Sequence, residues 1–187
     1  MSNTYPTEAY KILLVDDDPN ILQALNRLLK HYQVEMFTSG EEALLAAHET
    51  TFDIVISDYK MPEMDGVAFL TFFRALQPDA IRMILTGYAD LNTAQHAIND
   101  VEVFRFISKP WNNFELLNGV KRGLEYRRVM LENRALADEV RKQRVILNQQ
   151  EAILMALEKE EPGITKVNWG IDGSIIIDSA DLKLDEP

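Results

Sequence analysis

The chain has 187 residues and a formal net charge of −11, enough for one full domain with a smaller addition, or one long domain, at roughly 100–200 residues per domain. The 47% hydrophobic and 26% charged fractions are ordinary for a globular protein, and zero cysteine excludes disulfides, thiolate catalysis and cysteine-ligated metal centres. No apolar run reaches the ~18–20 residues of a membrane helix, and Met1–Pro6 has neither the basic nor the apolar part of a secretory signal, so the expectation is a cytoplasmic protein with no membrane partner.

Residues 11–15, KILLV, read as a buried strand running into Asp16, Asp17 and Asp18. Pro19 opens a helix whose apolar positions Ile21, Leu22, Leu25, Leu28 and Leu29 recur at helical spacing. A short strand follows at 34–37. Ser39, with Glu42 three residues on, predicts the cap of a helix over 41–49. The β-branched run 52–57, FDIVIS, is a third strand ending at Asp58. A helix over 66–76 stops at Pro78. A fourth strand over 80–85 ends at Thr86, and a weaker helix spans about 91–99. A fifth strand over 103–107 ends just before Lys109-Pro110, and a last helix begins near Asn112. Five strands alternating with helices imply parallel βα units, apolar throughout because helices cover both faces. The expected fold is a doubly wound, five-stranded parallel α/β sheet, whose ligands bind beyond the carboxyl ends of the strands.

The last helix does not stop where such a domain would. From Glu115 to about Glu158 there is no proline, and some 44 helical residues would span roughly 65 Å. Its outer part fits a heptad register, with Tyr126, Asn133, Val140, Leu147 and Leu154 at a, and Val129, Leu136, Gln143, Gln150 and Leu157 at d. Apolar a and d positions point to a coiled-coil dimer, and a polar residue at a can fix its register. The plainer alternative is a long helix packed back on its own domain, or frayed. Glu160-Glu161-Pro162-Gly163 ends the pattern. Asp172-Gly173 between two β-branched runs, 164–169 and 174–177, predicts a small β-hairpin, followed by an acidic tail. The expected division is an N-terminal tail over 1–9, an α/β domain over 10–125, a helical extension over 126–159, and hairpin plus tail over 160–187.

Charge follows the same division. Residues 1–120 hold 8 basic and 17 acidic side chains, residues 121–159 hold 9 and 6, and residues 160–187 hold 2 and 7. The acidic first region argues against nonspecific nucleic-acid binding there.

The chemistry-bearing residues collect at strand ends: Asp16, Asp17 and Asp18 after the first, Asp58 at the third, Thr86 at the fourth, Lys109 past the fifth. In a parallel sheet these ends share one rim. Crowded carboxylates repel unless a cation sits among them, and an all-oxygen set suits Mg²⁺ better than zinc. A lysine and a hydroxyl beside that cation suit an incoming phosphoryl group, for which a carboxylate can be the nucleophile. Each residue alone has a plainer reading, as a helix cap or a solvated loop side chain. Their joint order in one βα frame is what points to a site. His31, His48 and His96 show no ligand spacing, and Trp111 and Trp169 read as packing residues.

Four segments, LLVDDDPN (13–20), SDYKMPEMDG (57–66), ILTGYAD (84–90) and FISKPW (106–111), resemble the motifs of two-component response-regulator receiver domains, in order, over about residues 10–125. The resemblance implies a flavodoxin-like receiver in which Asp58 is phosphorylated by a histidine kinase or phosphotransfer protein. It implies that Asp16, Asp17, Asp58 and the Lys60 backbone carbonyl hold Mg²⁺. Thr86 and Lys109 would bind the phosphoryl oxygens, and Lys109-Pro110 would be cis. Phe106 would be the aromatic switch residue, lacking the hydroxyl that many relatives carry, and could equally be plain core. Lys60 and Tyr88 would tune phosphoryl lifetime, or be ordinary surface residues. The chain would then be a phosphoacceptor signalling protein, catalysing only its own phosphorylation and dephosphorylation.

The stretch FISKPWNNFEL before a long helix also resembles receivers that precede other signalling modules, such as cyclic-dinucleotide phosphodiesterases of the HD-GYP type. No helix-turn-helix, P-loop or dinucleotide fingerprint follows it here. The expected output is therefore protein–protein: phosphorylation changes the face made by the fourth helix, fifth strand and fifth helix. The long helix carries that change to a second copy or to a downstream protein target. Nucleic acid is not an expected partner. Two alternatives remain open: a DNA-binding regulator using the basic stretch 121–144, and a phosphotransfer protein or phosphate sink.

Overall fold

The structure, a computed structural model, describes residues 10–87, 101–160 and 162. The chain divides into two units, Met1–Asn133 and Arg134–Pro187. In chain order the elements are β1 (Lys11–Val15), α1 (Pro19–Leu28), β2 (Gln33–Phe37), α2 (Gly40–Glu49), β3 (Ile54–Asp58), α3 (Gly66–Leu76), β4 (Ile81–Gly87), β5 (Arg105–Lys109) and α4 (Asn113–Glu160). The helix expected at 91–99, Tyr88 and His96, the hairpin at 164–177 with Trp169, and both chain ends lie outside the described residues.

The five strands form one parallel sheet in the order β2-β1-β3-β4-β5. This is the flavodoxin-like order, with its switch point between β1 and β3. Alternation along the strands builds two cores. Ile12, Leu14, Ile54, Ile56, Met83, Leu85 and Ile107 face one side, where α1 supplies Leu22 and Leu25 and α4 supplies Leu116, Val120 and Leu124. Leu13, Val15, Val55 and Ile84 face the other, against Ala43 and Ala47 of α2 and Phe69, Leu70 and Phe73 of α3. Strands buried on both faces read as unbroken apolar runs, which is why β1 and β3 are legible as they stand. Gly123 lets α4 approach closely, since a Cβ there would meet Ile81 and Met83 at 3.0 Å.

Several element ends differ from the sequence expectation. β4 runs on through Thr86 to Gly87, and β5 occupies Arg105–Lys109 rather than 103–107. The ladder between them continues to the rungs Thr86↔Ser108 and Gly87↔Lys109. Pairing, not apolar content, sets where these strands end. β3 begins at Ile54 rather than at Phe52, whose N–H donates to the Gln77 side chain at 2.8 Å. The last helix does begin near Asn112, at Asn113, and Asn112 is its cap: its side-chain oxygen accepts from the N–H groups of Phe114 and Glu115 at 2.9 and 3.2 Å.

α4 continues to Glu160 without a break. In the second unit, residues 134–157 are all solvent-exposed, including Leu136, Val140, Leu147, Leu154 and Leu157.

Candidate functional site

Asp16 follows the last residue of β1 and is buried, anchored by its N–H to the Phe37 carbonyl at 3.2 Å. Asp58 is the last residue of β3, across the ladder from Leu85. Thr86, one residue further on β4, is fully buried. Lys109 ends β5 one rung beyond, opposite Gly87. Asp58, Thr86 and Lys109 thus stand on the last rungs of a paired sheet, and Asp16 and Asp17 follow directly where β1 ends.

Four of them meet. The Lys109 ammonium lies 2.6 Å from a carboxylate oxygen of Asp16 and 2.6 Å from Oδ1 of Asp58. The carboxylates of Asp16, Asp17 and Asp58 lie within 4.8 Å of one another, Asp17 exposed and the other two buried. Oδ1 of Asp16 also accepts from the Asp18 N–H at 3.0 Å, and Oδ2 of Asp58 accepts from the Lys60 N–H at 3.1 Å. Burial raises the Asp16 pKa, against the lowering pull of the Lys109 hydrogen bond and the Asp18 N–H. Burial would lower the Lys109 pKa, but its hydrogen bonds to Asp16 and Asp58 outweigh that and hold it above the ordinary lysine value. The ammonium is therefore charged at neutral pH.

The other predicted residues divide. The Thr86 hydroxyl donates to the Gly87 carbonyl at 3.3 Å, on the strand next to Asp58. The Lys109-Pro110 bond is cis. Phe106 is half-buried on the α2–α3 side of the sheet, packed against that core. Lys60 reaches the site through its backbone N–H, whereas the sequence reading concerned its carbonyl, as a metal ligand, and a part in tuning phosphoryl lifetime. Asp18 is not one of the clustered carboxylates: its side chain caps α1 by accepting from the Asn20 N–H at 2.8 Å. His31 and His48 are exposed, and Trp111 packs on the α1–α4 core.

Two supporting residues were missed. A Cβ on Gly66 would lie 2.0 Å from the Asp58 carbonyl oxygen, and the Gly66 N–H donates to the Tyr59 carbonyl at 2.9 Å. Gly66 thus lets the start of α3 sit against the Asp58 backbone. The Ser57 hydroxyl donates to the same Asp58 carbonyl at 2.9 Å. The glycine was visible as the start of a helix and as the end of the segment 57–66, and neither tells that it faces Asp58.

Residues 12–121 match the response regulator receiver domain family. The chain belongs to the response-regulator receiver family. Among curated relatives of this receiver is the C4-dicarboxylate transport transcriptional regulatory protein DctD of Rhizobium meliloti (strain 1021), 37% identical over 130 residues, 68% of this chain and 28% of DctD. The receiver thus matches little more than a quarter of that relative's length. Among solved structures, the signal receiver domain of an HD domain-containing protein from Pseudomonas fluorescens Pf-5 is 34% identical with a TM-score of 0.64, covering 71% of this chain and 98% of that one. A CheY-like response regulator receiver domain protein from Methanospirillum hungatei JF-1 is 29% identical with a TM-score of 0.61, over 65% of this chain and 98% of that one. DctD is named a transcriptional regulatory protein, which gives no support to the expectation that nucleic acid is not a partner. Among the described residues no helix is long and apolar enough to cross a membrane.

Proposed function

We propose that this chain is a response regulator whose Asp58 accepts a phosphoryl group from a histidine kinase or phosphotransfer protein. The observation that carries the reading is the Lys109 ammonium set 2.6 Å from Asp58 and 2.6 Å from Asp16 within the three-carboxylate cluster. An oxygen of Asp58 forms a bond to phosphorus as the phosphorus–nitrogen bond of a phosphohistidine breaks, and the electron pair leaves with the imidazole. The new acyl phosphate adds close to two negative charges. Lys109 is placed to pair with them, and the Lys60 N–H, already bound to Asp58, is a second donor at the same carboxylate. Thr86 supplies a hydroxyl donor on the neighbouring strand once it turns from the Gly87 carbonyl. That rotation opens space for Phe106 to move inward on the α2–α3 side. Lys60 and Tyr88 modulate phosphoryl lifetime.

The donor set fits Mg²⁺, since among the described residues the cluster offers three carboxylates. Asp16, Asp17 and Asp58 would hold the ion, with the Lys60 carbonyl as a further oxygen. When bound, it supplies positive charge that offsets repulsion between phosphoryl oxygens and carboxylates.

The receiver occupies residues 10–125 and the helical extension 126–159, in a cytoplasmic protein that does only its own phosphoryl chemistry. Output passes through dimerisation on the long helix, whose apolar positions from Leu136 to Leu157 are exposed, or through a downstream protein bound there. The name of the DctD relative favours a second reading, transcription control through the basic stretch 121–144. A steeply salt-dependent DNA affinity would support it.

Intact-mass measurement with Mg²⁺ and acetyl phosphate tests the acceptor. Wild type should gain one labile phosphoryl group and Asp58→Ala none. Equal gain by the variant overturns the assignment.

A further inference from the structure

The second unit's helix carries a pattern that selects how two copies would pair. Over residues 134–160 the heptad places Leu136, Gln143, Gln150 and Leu157 at d, and Val140, Leu147 and Leu154 at a. All seven are exposed. Within this segment the amides interrupt the d layers only, Asn133 at a lying one residue before it, and that asymmetry discriminates between arrangements. An antiparallel pairing of this segment with itself sets each d residue against an a residue of the other helix. Every a residue here is apolar, so any glutamine in the overlap faces valine or leucine. A buried amide without a hydrogen-bonding partner is costly. A parallel pairing slipped by one heptad sets Gln143 against Gln150, but leaves Leu136 against Gln143 and Gln150 against Leu157, so two of its three d layers mismatch amide and hydrocarbon. Only the parallel, in-register pairing puts Gln143 beside Gln143 and Gln150 beside Gln150 of the second copy, where each amide can donate to and accept from its twin. The flanking charges agree. In that register Glu139, at g, lies across from Arg144 at e of the other helix, twice per dimer, and such pairs fix partner and orientation.

We infer that the exposed face of residues 134–160 docks on a second copy of this chain as a parallel, in-register coiled coil, with Gln143 and Gln150 as self-paired amide layers. This deepens, and rests on, the dimer reading above. The functional consequence is directional: two receivers joined this way leave the coil at the same end, so a change at one Asp58 is delivered beside the other receiver and not at the far end of the coil.

The absence of cysteine makes the test clean. Leu136→Cys and Leu147→Cys are made singly in the full chain and oxidised gently, alone and mixed, with light scattering on the same samples. The expected result is a dimer in which each variant alone forms an intermolecular disulfide, and the mixture forms no Leu136→Cys to Leu147→Cys cross-link. That mixed cross-link joins residues which face each other only when the helices are antiparallel. A dimer giving the mixed product, or giving neither homodisulfide, overturns the parallel register while leaving dimerisation intact. A monomer overturns both. As a second reading of register, Arg144→Glu should weaken the dimer roughly tenfold, and Glu139→Arg added to it should restore affinity. No rescue, with the single variant weakened, would mean that Glu139 and Arg144 are not partners.

Discussion

Lys109 stands between two carboxylates, and its removal has a consequence that reads directly on the site. Without the ammonium, Asp16 and Asp58 face each other with no compensating charge, and like charges in one pocket disfavour ionisation. Lys109→Ala should therefore cost roughly 1–3 kcal/mol of stability in metal-free buffer, discounted for the partial exposure of the lysine. The loss should shrink when Mg²⁺ is added. Urea unfolding with and without the ion checks this, and an unchanged loss would argue against a cation among the carboxylates. Gly66→Ala acts on the same centre through the backbone. Its Cβ would lie 2.0 Å from the Asp58 carbonyl oxygen, so the chain must shift, at about 2–3 kcal/mol. Urea unfolding should show that loss, and intact mass should show slower phosphoryl uptake. At this scale Asp16, Asp58, Thr86 and Lys109 were legible because each ends an apolar run in one repeating frame. The contact of Gly66 with the Asp58 backbone was not, because it exists only once strand, turn and helix are placed; the capping role of Asp18 was, as the plainer reading of an acidic residue before Pro19.

Among the described residues the elements were legible from their apolar runs, and β1 and α3 with both their ends, but the ends of β4 and β5 were not, because those are settled by neighbours. β4 and β5 extend past their hydrophobic residues to Thr86 and Lys109 because the ladder between them does. The same neighbour dependence governs the far rim of the sheet. Asp53, just before β3, accepts from the Lys11 N–H at 2.8 Å and pairs with Arg127 of α4 at 2.6 Å, both side chains mostly buried. Arg127 also donates to the Asp79 carbonyl at 3.1 Å. One side chain thus ties α4 to the starts of β1, β3 and β4. Arg127→Ala should cost roughly 2 kcal/mol, more than an exposed ion pair and less than a fully buried one, read as a lower urea midpoint. At the opposite edge, burial raises the Tyr32 pKa from 10.0, with Tyr10 adding to the shift. A raised folded pKa means the neutral phenol is favoured in the folded state. That contribution is complete below about pH 10 and is lost as pH rises through the raised value. Thermal melts between pH 9 and 11 should fall less steeply for Tyr32→Phe than for wild type, and parallel curves would contradict the shift.

At the scale of the whole molecule, the receiver's two apolar cores and its carboxylate cluster draw on residues between Ile12 and Leu124. Residues 134–157 are all exposed, so the apolar area they bury within one chain is small. Stability follows buried apolar area. The receiver should therefore lose almost nothing when the chain is ended after Asn133: an unfolding free energy within about 0.5 kcal/mol of the full chain at low protein concentration. Phosphoryl uptake from acetyl phosphate should keep the wild-type rate. What should disappear is the concentration dependence of the melt, because mass action ties a dimer's apparent stability to its concentration. Melts of both lengths over a hundredfold range of concentration separate the cases. A full-length midpoint that rises with concentration beside a flat truncated one places assembly in the extension and chemistry in the receiver. A truncated chain that still rises would move the dimer contact onto the receiver, and one that no longer takes up phosphate would mean that the site needs the extension to be whole.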